Sequence, residues 1–349
     1  MLNATLTLII TIILTAAVTF ALTTIYESLK LKMKKRKEER RIREVERNLE
    51  KLQEAVYPMR ILQFGMLDSD SISIKLLGKK DPNDYVNKIV SRHSENWASQ
   101  ISAYNNYIYG VSEVNYPRKG EFEEIEIQLK GYLVSYYEFL ATNANIKMRS
   151  DLNPYEQAWI KSKTENSDPS EPIKEFANPL SVEVILLCND GTRAVLPTRS
   201  PKTVFRGDKL GASVMETVSP LLETKDKIER EIDIFEVIKR GLREELGIKP
   251  TELKELYVTS LVFDSEVFDY KFTAVADSKL VESDISARFE LGLASDKWEN
   301  RKLNFVKFPL DRNELINLKK NASPEAMISI IMAEAVRSGW KKVEKSFLQ

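Results

Sequence analysis

The first pattern along the chain is an uncharged apolar run followed by a basic cluster. Residues 6–25 contain only Leu, Ile, Val, Ala, Phe and Thr, and about 20 such residues cross a bilayer core as a helix. Basic side chains cluster at residues 30–41, while none precedes the run as a cleaved signal peptide requires. The pattern predicts a single-pass membrane protein with its C-terminal domain in the cytoplasm. A buried helix of a soluble domain is the alternative.

A charged helix is predicted next, up to the residue before Pro58. Its apolar positions are spaced 3, 4, 3 and 4 residues apart, as in the a/d seam of a coiled coil. These positions are Ile42, Val45, Leu49, Leu52 and Val56. Two heptads leave two interpretations open: a short coiled coil that would support a homodimer, or docking against the following domain.

The middle of the chain carries no recognisable motif. Residues 85–107 are predicted to be helical, and residues 121–140 combine an alternating stretch with aromatic side chains that we interpret as core. The polar run 161–172 contains two prolines and predicts a linker. We therefore place a domain boundary at its end and expect residues 176–349 to fold independently.

A strand, a tight turn and a second strand open the C-terminal region. Residues 180–188 (LSVEVILLC) are aliphatic and β-branched, residues 189–191 (NDG) are a strong turn signal, and residues 193–196 return as the partner strand. Further predicted elements are a hairpin of residues 256–263 and 267–276, a strand over residues 303–308 and an amphipathic helix that begins at Pro324.

A short acidic helix is predicted at residues 240–248 (RGLREELGI), with Asp233 capping its start and Gly247 ending it. Glu244 and Glu245 are adjacent on this helix, and both lie on the same face as Gly241, which is one turn earlier. Neighbouring carboxylates are suited to holding a hard divalent cation. The alternative interpretation is a solvated amphipathic helix without a ligand.

The same nine residues resemble the second half of the Nudix box, R-E-U-x-E-E-x-G-U, in which U is a bulky aliphatic residue. Every defined position matches except Gly241, which stands where the family has its first glutamate. The upstream order is also similar to the start of a Nudix domain: a strand ending in a DG turn, a strand closing with an arginine, and a Gly-containing loop with Glu216. The lead-in departs from the family pattern, since Asp226 and Ile232 replace its glycine and glutamate.

The resemblance implies an α+β chain whose C-terminal half is a Nudix-like α/β/α sandwich with a mixed sheet. A transmembrane helix, a charged helix and an unassigned α/β middle region precede it. The predicted segments are the anchor at 1–28, the charged helix at 29–57, the middle region at 58–175 and the Nudix-like domain at 176–349.

By the same resemblance, the chain is a hydrolase of a nucleoside diphosphate-linked compound that uses Mg²⁺ or Mn²⁺. Glu244 and Glu245 are then catalytic metal ligands, and Arg240 orients the helix. Gly241 removes the third acid, and Glu216 is the nearest substitute in the chain. We expect Gly241→Glu to restore that third carboxylate.

Four further side chains are candidates for the site. Asp264 and Glu266 are further substitutes for the missing acid. Arg199 and Trp298 are predicted to bind substrate, Trp298 by stacking on a nucleobase, although a core or rim tryptophan is the alternative.

Loss of the acid at position 241 also leaves two other functions open. The chain is then a Nudix-fold module that binds a nucleotide or a protein partner without hydrolysis, or a structural or interaction protein whose helix only mimics the box.

Composition narrows the choice of partners and ligands. Lys and Arg together number 52, as do Asp and Glu, so we expect no nucleic-acid partner. The single cysteine, Cys188, excludes an intramolecular disulfide, and the single histidine, His93, excludes a multi-histidine metal site. A metal site in this chain would therefore consist mainly of carboxylates.

Overall fold

The computed structural model describes residues 58–100, 105–119, 124–142, 151–165, 167–168, 170–201, 203, 206–220, 230–339 and 342–343. These residues form an α+β protein with mixed sheets. The strands are Met59–Leu67 (β1), Ile72–Lys79 (β2), Tyr107–Asn115 (β3), Arg118–Lys119 (β4), Glu124–Ile125 (β5), Ile127–Ser135 (β6), Leu180–Cys188 (β7), Arg193–Arg199 (β8), Val214–Thr217 (β9), Arg230–Glu231 (β10), Leu253–Asp264 (β11), Asp269–Ser278 (β12) and Asn300–Lys307 (β13). The α-helices are Asp84–Gln100 (α1), Tyr136–Thr142 (α2), Pro154–Thr164 (α3), Ile234–Leu246 (α4), Glu282–Glu290 (α5), Arg312–Asn321 (α6) and Pro324–Ser338 (α7).

The predicted membrane anchor and charged helix, residues 1–28 and 29–57, lie outside the described residues. Within the described ranges, no helix has both the length and the apolar character that crossing a bilayer requires.

A seven-stranded mixed sheet carries Glu216 and Asp264 on its strands, and the helix with the predicted acidic pair packs against it. Its strands follow the order β1-β11-β12-β7-β8-β13, and β9 pairs with β7. The strand predicted at residues 180–188 is confirmed as β7, and every one of its residues is buried. It pairs parallel with β12 and antiparallel with both β8 and β9. Continuous burial is what a central strand needs when both faces of its sheet are covered.

Helices cover both faces of the sheet at β7. Val182 and Val184 belong to the apolar core that includes Leu242 of α4. Glu183 points to the opposite face, because side chains alternate along a strand, and it accepts a hydrogen bond from Ser329 of α7. One face of β7 therefore meets α4, and the other meets α7.

The middle region contributes β2, β6 and β3 to a four-stranded sheet, in the order β10-β2-β6-β3, that is joined to the larger one. At the β3 edge, the Tyr109 N–H donates to the Val218 carbonyl (2.9 Å) and the Val111 N–H to the Asn178 carbonyl (2.8 Å). Gly110 is required at this junction, because a Cβ there would lie 2.4 Å from the Ala177 carbonyl oxygen.

Two strand pairings cross the boundary predicted between residues 175 and 176. β1 from the middle region pairs antiparallel with β11, with Met59 opposite Asp264. β10 from the C-terminal region pairs with β2, with Arg230 opposite Leu76. The described residues also fall within one compact unit. Independent folding of residues 176–349 stays a prediction, and these shared sheets argue against it.

Several predicted elements exist with different bounds. The helix predicted at 85–107 ends at Gln100, and Tyr107 begins β3 instead. The predicted linker 161–172 is helical as far as Thr164, where α3 ends. The closing helix begins at Pro324 as predicted. The hairpin predicted at 256–263 and 267–276 forms with strands at 253–264 and 269–278.

His93 lies on a stretch that is polar in sequence, but its side chain is buried. Its Nε2 is 3.3 Å from the Glu156 carboxylate, and its ring stacks on Trp97 at 5.6 Å between centroids. These contacts give His93 a structural role in joining α1 to α3.

Candidate functional site

Helix α4, here called the box helix, is positioned by local signals at both ends. The Asp233 carboxylate accepts a hydrogen bond from the Phe235 N–H (2.8 Å), as predicted for an N-cap. Gly247 ends the helix in the left-handed conformation, with φ of 69°. The buried stripe that includes Val237 and Leu242 faces the sheet, which brings the acidic face of the helix beside β9.

Glu245 is a buried member of the predicted acidic pair. Its Oε1 accepts a hydrogen bond from the Met215 N–H (2.9 Å) and its Oε2 accepts one from the Asn300 side chain (3.2 Å). Burial raises the pKa of Glu245 to about 8, with a further upward contribution from Glu299 and an opposing one from Arg199. These bonds fix the carboxylate in one orientation.

Arg240 lies between the carboxylates of Glu216 and Glu244. Its guanidinium is 3.2 Å from Glu216 of β9 and 3.8 Å from Glu244 of the box helix. Burial raises the pKa of Glu216 to about 8, Arg240 opposes that rise, and Glu245 and Glu244 add to it. The carboxylates of β9 and of the box helix therefore act on one another electrostatically.

A segment after α5 adds two acids that the sequence did not single out. Glu299 pairs with the buried Arg199 at 3.3 Å, and the Asp296 N–H donates to the Glu244 carbonyl at 2.9 Å. Burial and Glu244 raise the pKa of Asp296. We call the whole group the box cluster: Glu216, Glu244, Glu245, Asp296 and Glu299 with Arg199 and Arg240.

Gly241 lies where the box helix approaches β9 most closely. A Cβ at this position would lie 2.5 Å from Val214 Cγ1 and 3.3 Å from Glu216 Cβ. The space of a side chain at position 241 is therefore filled from β9. The expectation that Gly241→Glu restores a third acid stays a prediction, and this contact argues against it, because the Val214 side chain would have to shift to admit the new one. Glu216 already supplies a carboxylate at this point.

The two weaker substitutes, Asp264 and Glu266, lie outside the box cluster. Arg206 is 4.0 Å from Asp264, 2.9 Å from Glu266 and 3.2 Å from Glu325 of α7. On the α7 face of β7, Lys271 pairs with Glu183 (3.3 Å) and with Asp269. We call this group the sealed cluster: Glu183, Asp264, Glu266, Asp269 and Glu325 with Arg206 and Lys271.

The remaining predicted site residues differ in accessibility. Arg199 is buried, with Met215 Sδ 3.5 Å from its guanidinium and Glu299 on its other side, so its charge is already paired within the protein. Trp298 is 59 % exposed and is not a core residue. Tyr136 of the middle region is also close, because Glu299 and Arg199 both affect its pKa, which burial raises to about 12.

Sequence periodicity gave no signal for Asp296, Glu299, Asn300 or Tyr136. They reach the box cluster through the packing of three elements: the segment before β13 carries Asp296 and Glu299, β13 carries Asn300, and α2 carries Tyr136. The acidic flanks of Trp298 were the one visible hint.

The carboxylate donors of the box cluster suit Mg²⁺ or Mn²⁺, which prefer oxygen ligands. Arg240 nevertheless lies between Glu216 and Glu244, and both Glu245 oxygens accept hydrogen bonds. Across the described ranges, no three His, Cys, Asp or Glu side chains are placed to hold one metal ion together. A cation shared by Glu216 and Glu244 would first have to displace the Arg240 guanidinium.

No model of a known protein family matches the chain. A search among curated proteins finds no match either. The Nudix resemblance therefore depends on residues 240–248 and on the elements around them.

Proposed function

We propose that the chain is a membrane-anchored Nudix-like hydrolase, dependent on Mg²⁺ or Mn²⁺, that acts on a nucleoside diphosphate-linked compound. In this proposal, residues 176–349 supply most of a Nudix-like α/β/α sandwich, with the box helix on one face of the sheet and α7 on the other. A small molecule is the expected partner, together with the membrane.

The position of Glu216 carries the proposal. Its Cβ lies 3.3 Å from where a Cβ of residue 241 would be, so β9 brings a carboxylate to the place that Gly241 leaves without one. Glu216, Glu244 and Glu245 then keep three acids beside the box helix. The energetic coupling among the three supports this grouping, because each of the other two raises the pKa of Glu216.

In the proposed reaction, a water oxygen bonds to one phosphorus and the bond from that phosphorus to the bridging oxygen breaks. The products are two phosphate monoesters, and two protons are released. The divalent cation, when bound, neutralises diphosphate charge and lowers the pKa of the attacking water. Glu216 and Glu244 would hold the cation once it had displaced the Arg240 guanidinium that now orients them, with Glu245 as the third acid beside them. Asn300 and the Met215 N–H fix Glu245.

The direct test is hydrolysis of a panel of nucleoside diphosphate compounds by the full chain with Mg²⁺ or Mn²⁺. Glu216→Gln should lower the rate by about 100-fold or more, as expected when one charged group is removed from a preorganised site. The matched control is Glu236→Gln on the same helix, because Glu236 is exposed and pairs only with Lys239 in the described contacts. If Glu216→Gln hydrolyses as fast as wild type, Glu216 does not replace the missing acid.

The placement of Arg240 favours a second candidate function. Because its guanidinium already pairs with Glu216 and Glu244, the chain could bind a nucleotide without holding a metal ion. Thermal stabilisation by nucleotides without any turnover, equal with and without metal, would identify such a binding module.

Membrane anchoring by residues 6–25 is a separate part of the proposal. Extraction at high pH should leave the chain in the membrane pellet, and protease added outside intact cells should spare residues 176–349. Release by salt or alkali would show that the apolar run does not span the bilayer.

A further inference from the structure

Three exposed apolar side chains belong to the segment between α5 and β13 that also carries Asp296 and Glu299 of the box cluster. Leu291, Leu293 and Trp298 are 75 %, 62 % and 59 % exposed. Among the described residues, five large apolar side chains are at least 59 % exposed, and these three fall within eight consecutive residues. Such clustering is unusual, because single exposed apolar residues are normally scattered.

The segment that carries these side chains is attached to the end of the box helix. A Cβ built at Gly247 would lie 3.4 Å from Leu293 Cβ, and the Asp296 N–H donates to the Glu244 carbonyl. The Trp298 side chain donates a hydrogen bond to the Asp296 carboxylate, which is close enough to Glu244 for their charges to interact. We call Leu291, Leu293 and Trp298 the apolar rim of the site.

The rim offers little to a charged or strongly polar substituent. Lys297 has its partners outside the box cluster: its Nζ lies 4.8 Å from the centroid of the Phe289 ring and 3.8 Å from Glu290. Arg243 pairs with Glu244 at 3.3 Å. A ligand above the rim would gain free energy chiefly by covering apolar surface, at about 25 cal/mol per Å².

We infer that the substrate is a nucleoside diphosphate whose second substituent is an apolar, lipid-like group lying on Leu291, Leu293 and Trp298. This inference rests on the proposed hydrolase function and assigns its substrate class. Water adds to one phosphorus, the bond to the bridging oxygen breaks, and a nucleoside monophosphate, a lipid phosphate and two protons are formed. The apolar run at residues 6–25 fits such a substrate, because a bilayer is where lipid-linked diphosphates are found.

The test compares two esters of cytidine diphosphate that differ only in the second substituent: dioctanoylglycerol, used below its micelle concentration, and choline. The full chain is assayed with Mg²⁺ in nanodiscs of phosphatidylcholine. We expect kcat/KM to be at least about tenfold higher for the dioctanoylglycerol ester, since a few buried methylenes are worth that factor. Combined Leu291→Ser, Leu293→Ser and Trp298→Ser should lower kcat/KM for this ester at least about tenfold more than for the choline ester.

The matched control is Ile316→Ser, an exposed apolar residue on α6, which should not alter the ratio between the two esters. Equal losses on both esters, with weaker binding to the bilayer, would mean that the rim contacts membrane and would overturn the inference. A preference for the choline ester would also overturn it.

A second measurement separates this inference from the hydrolase proposal. Acrylamide quenching of the Trp298 contribution, taken as wild type minus Trp298→Phe, should fall when the dioctanoylglycerol ester is added and should not change with the choline ester. If neither ester is hydrolysed but this shielding occurs, the hydrolase proposal fails and the apolar ligand class stands. If both esters are hydrolysed and Trp298 is never shielded, the inference fails alone.

Discussion

The two faces of the seven-stranded sheet each carry a cluster of five carboxylates and two cationic side chains. In the box cluster, Glu245 is buried, but the side chains of Glu216, Glu244 and Glu299 keep 18 %, 27 % and 25 % of their surface exposed. In the sealed cluster, Glu266 at the edge keeps 19 %, whereas Glu183 keeps 1 %, Asp264 none and Glu325 5 %. Composition therefore does not mark a ligand site. Access does, because only groups that a solute can reach can exchange an internal partner for a ligand.

The sealed cluster is organised as internal support. Lys271 is buried between Glu183 and Asp269, Ser329 of α7 donates to Glu183 (3.1 Å), and Arg206 ties its loop to Glu325 of α7. A buried charge without its partner carries a large desolvation penalty. We therefore expect substitutions in the sealed cluster to act mainly on stability, and substitutions in the box cluster to act mainly on ligand binding.

The largest expected effect comes from removing residues 1–175, which keeps every acid of both clusters. The fragment 176–349 lacks β1, which pairs with β11 next to Asp264 and so completes the sealed face. It also exposes β10, which pairs with β2. We expect the fragment to show no cooperative thermal transition by circular dichroism, while residues 58–349 melt cooperatively. A sharp transition of the short fragment would show that both faces form without the middle region.

Removing one cation from each cluster compares the two faces directly. Lys271→Met should lower the free energy of unfolding by about 3–5 kcal/mol, because it leaves Glu183 and Asp269 buried without their cation. Arg240→Met should cost less, about 1–3 kcal/mol, because Glu244 reaches water whereas Glu216, whose side chain is 18 % exposed, loses its cation. Urea unfolding at pH 8 measures both, with Lys239→Met as the control, because Lys239 pairs with the exposed Glu236. Equal losses would mean that the box cluster is as sealed as the other.

The pH dependence of stability should differ between a buried and an exposed acid. Burial raises the pKa of Glu183 to about 7, against the attraction of Lys271. Because this folded-state pKa lies above the unfolded value of 4.5, Glu183 lowers stability progressively as the pH rises from about 4.5 to about 7. The free energy of unfolding of Glu183→Gln, relative to that of wild type, should therefore increase by up to about 3 kcal/mol when the pH is raised from 5 to 8.

Urea unfolding at those two pH values checks this prediction. The control is Glu165→Gln, because this carboxylate is 58 % exposed and lies outside the sealed cluster. A constant difference between Glu183→Gln and wild type would contradict a buried titration.

The smallest expected effect concerns the contact between the box helix and β9. Gly241→Ala should destabilise by about 1–2 kcal/mol, because overpacking against Val214 outweighs the gain of about 1 kcal/mol in helix propensity. Adding Val214→Ala should return most of that loss, and thermal melts of the four proteins measure the coupling. If Gly241→Ala is stabilising on its own, the helix lies farther from β9 than described.

Short-range features of the chain were accessible from its sequence. The strand at residues 180–188 followed from its β-branched run, and Asn189, Asp190 and Gly191 all adopt positive φ in the turn after it. The ends of the box helix followed from Asp233 and Gly247. In each case the deciding interaction lies within a few residues, so the local pattern contains it.

Long-range contacts decided how the strands pair and which side chains meet at the box cluster. Periodicity shows which face of an element a residue takes, but it does not say which element packs against that face. The pairing of β1 with β11 joins residues about 200 apart, and the sequence pattern of either strand fits many partners. For the same reason, only the tertiary structure shows that Glu216 fills the space beside Gly241 and that Asp264 lies on the opposite face of the sheet. It also shows that Asp296 and Glu299 lie beside the box helix.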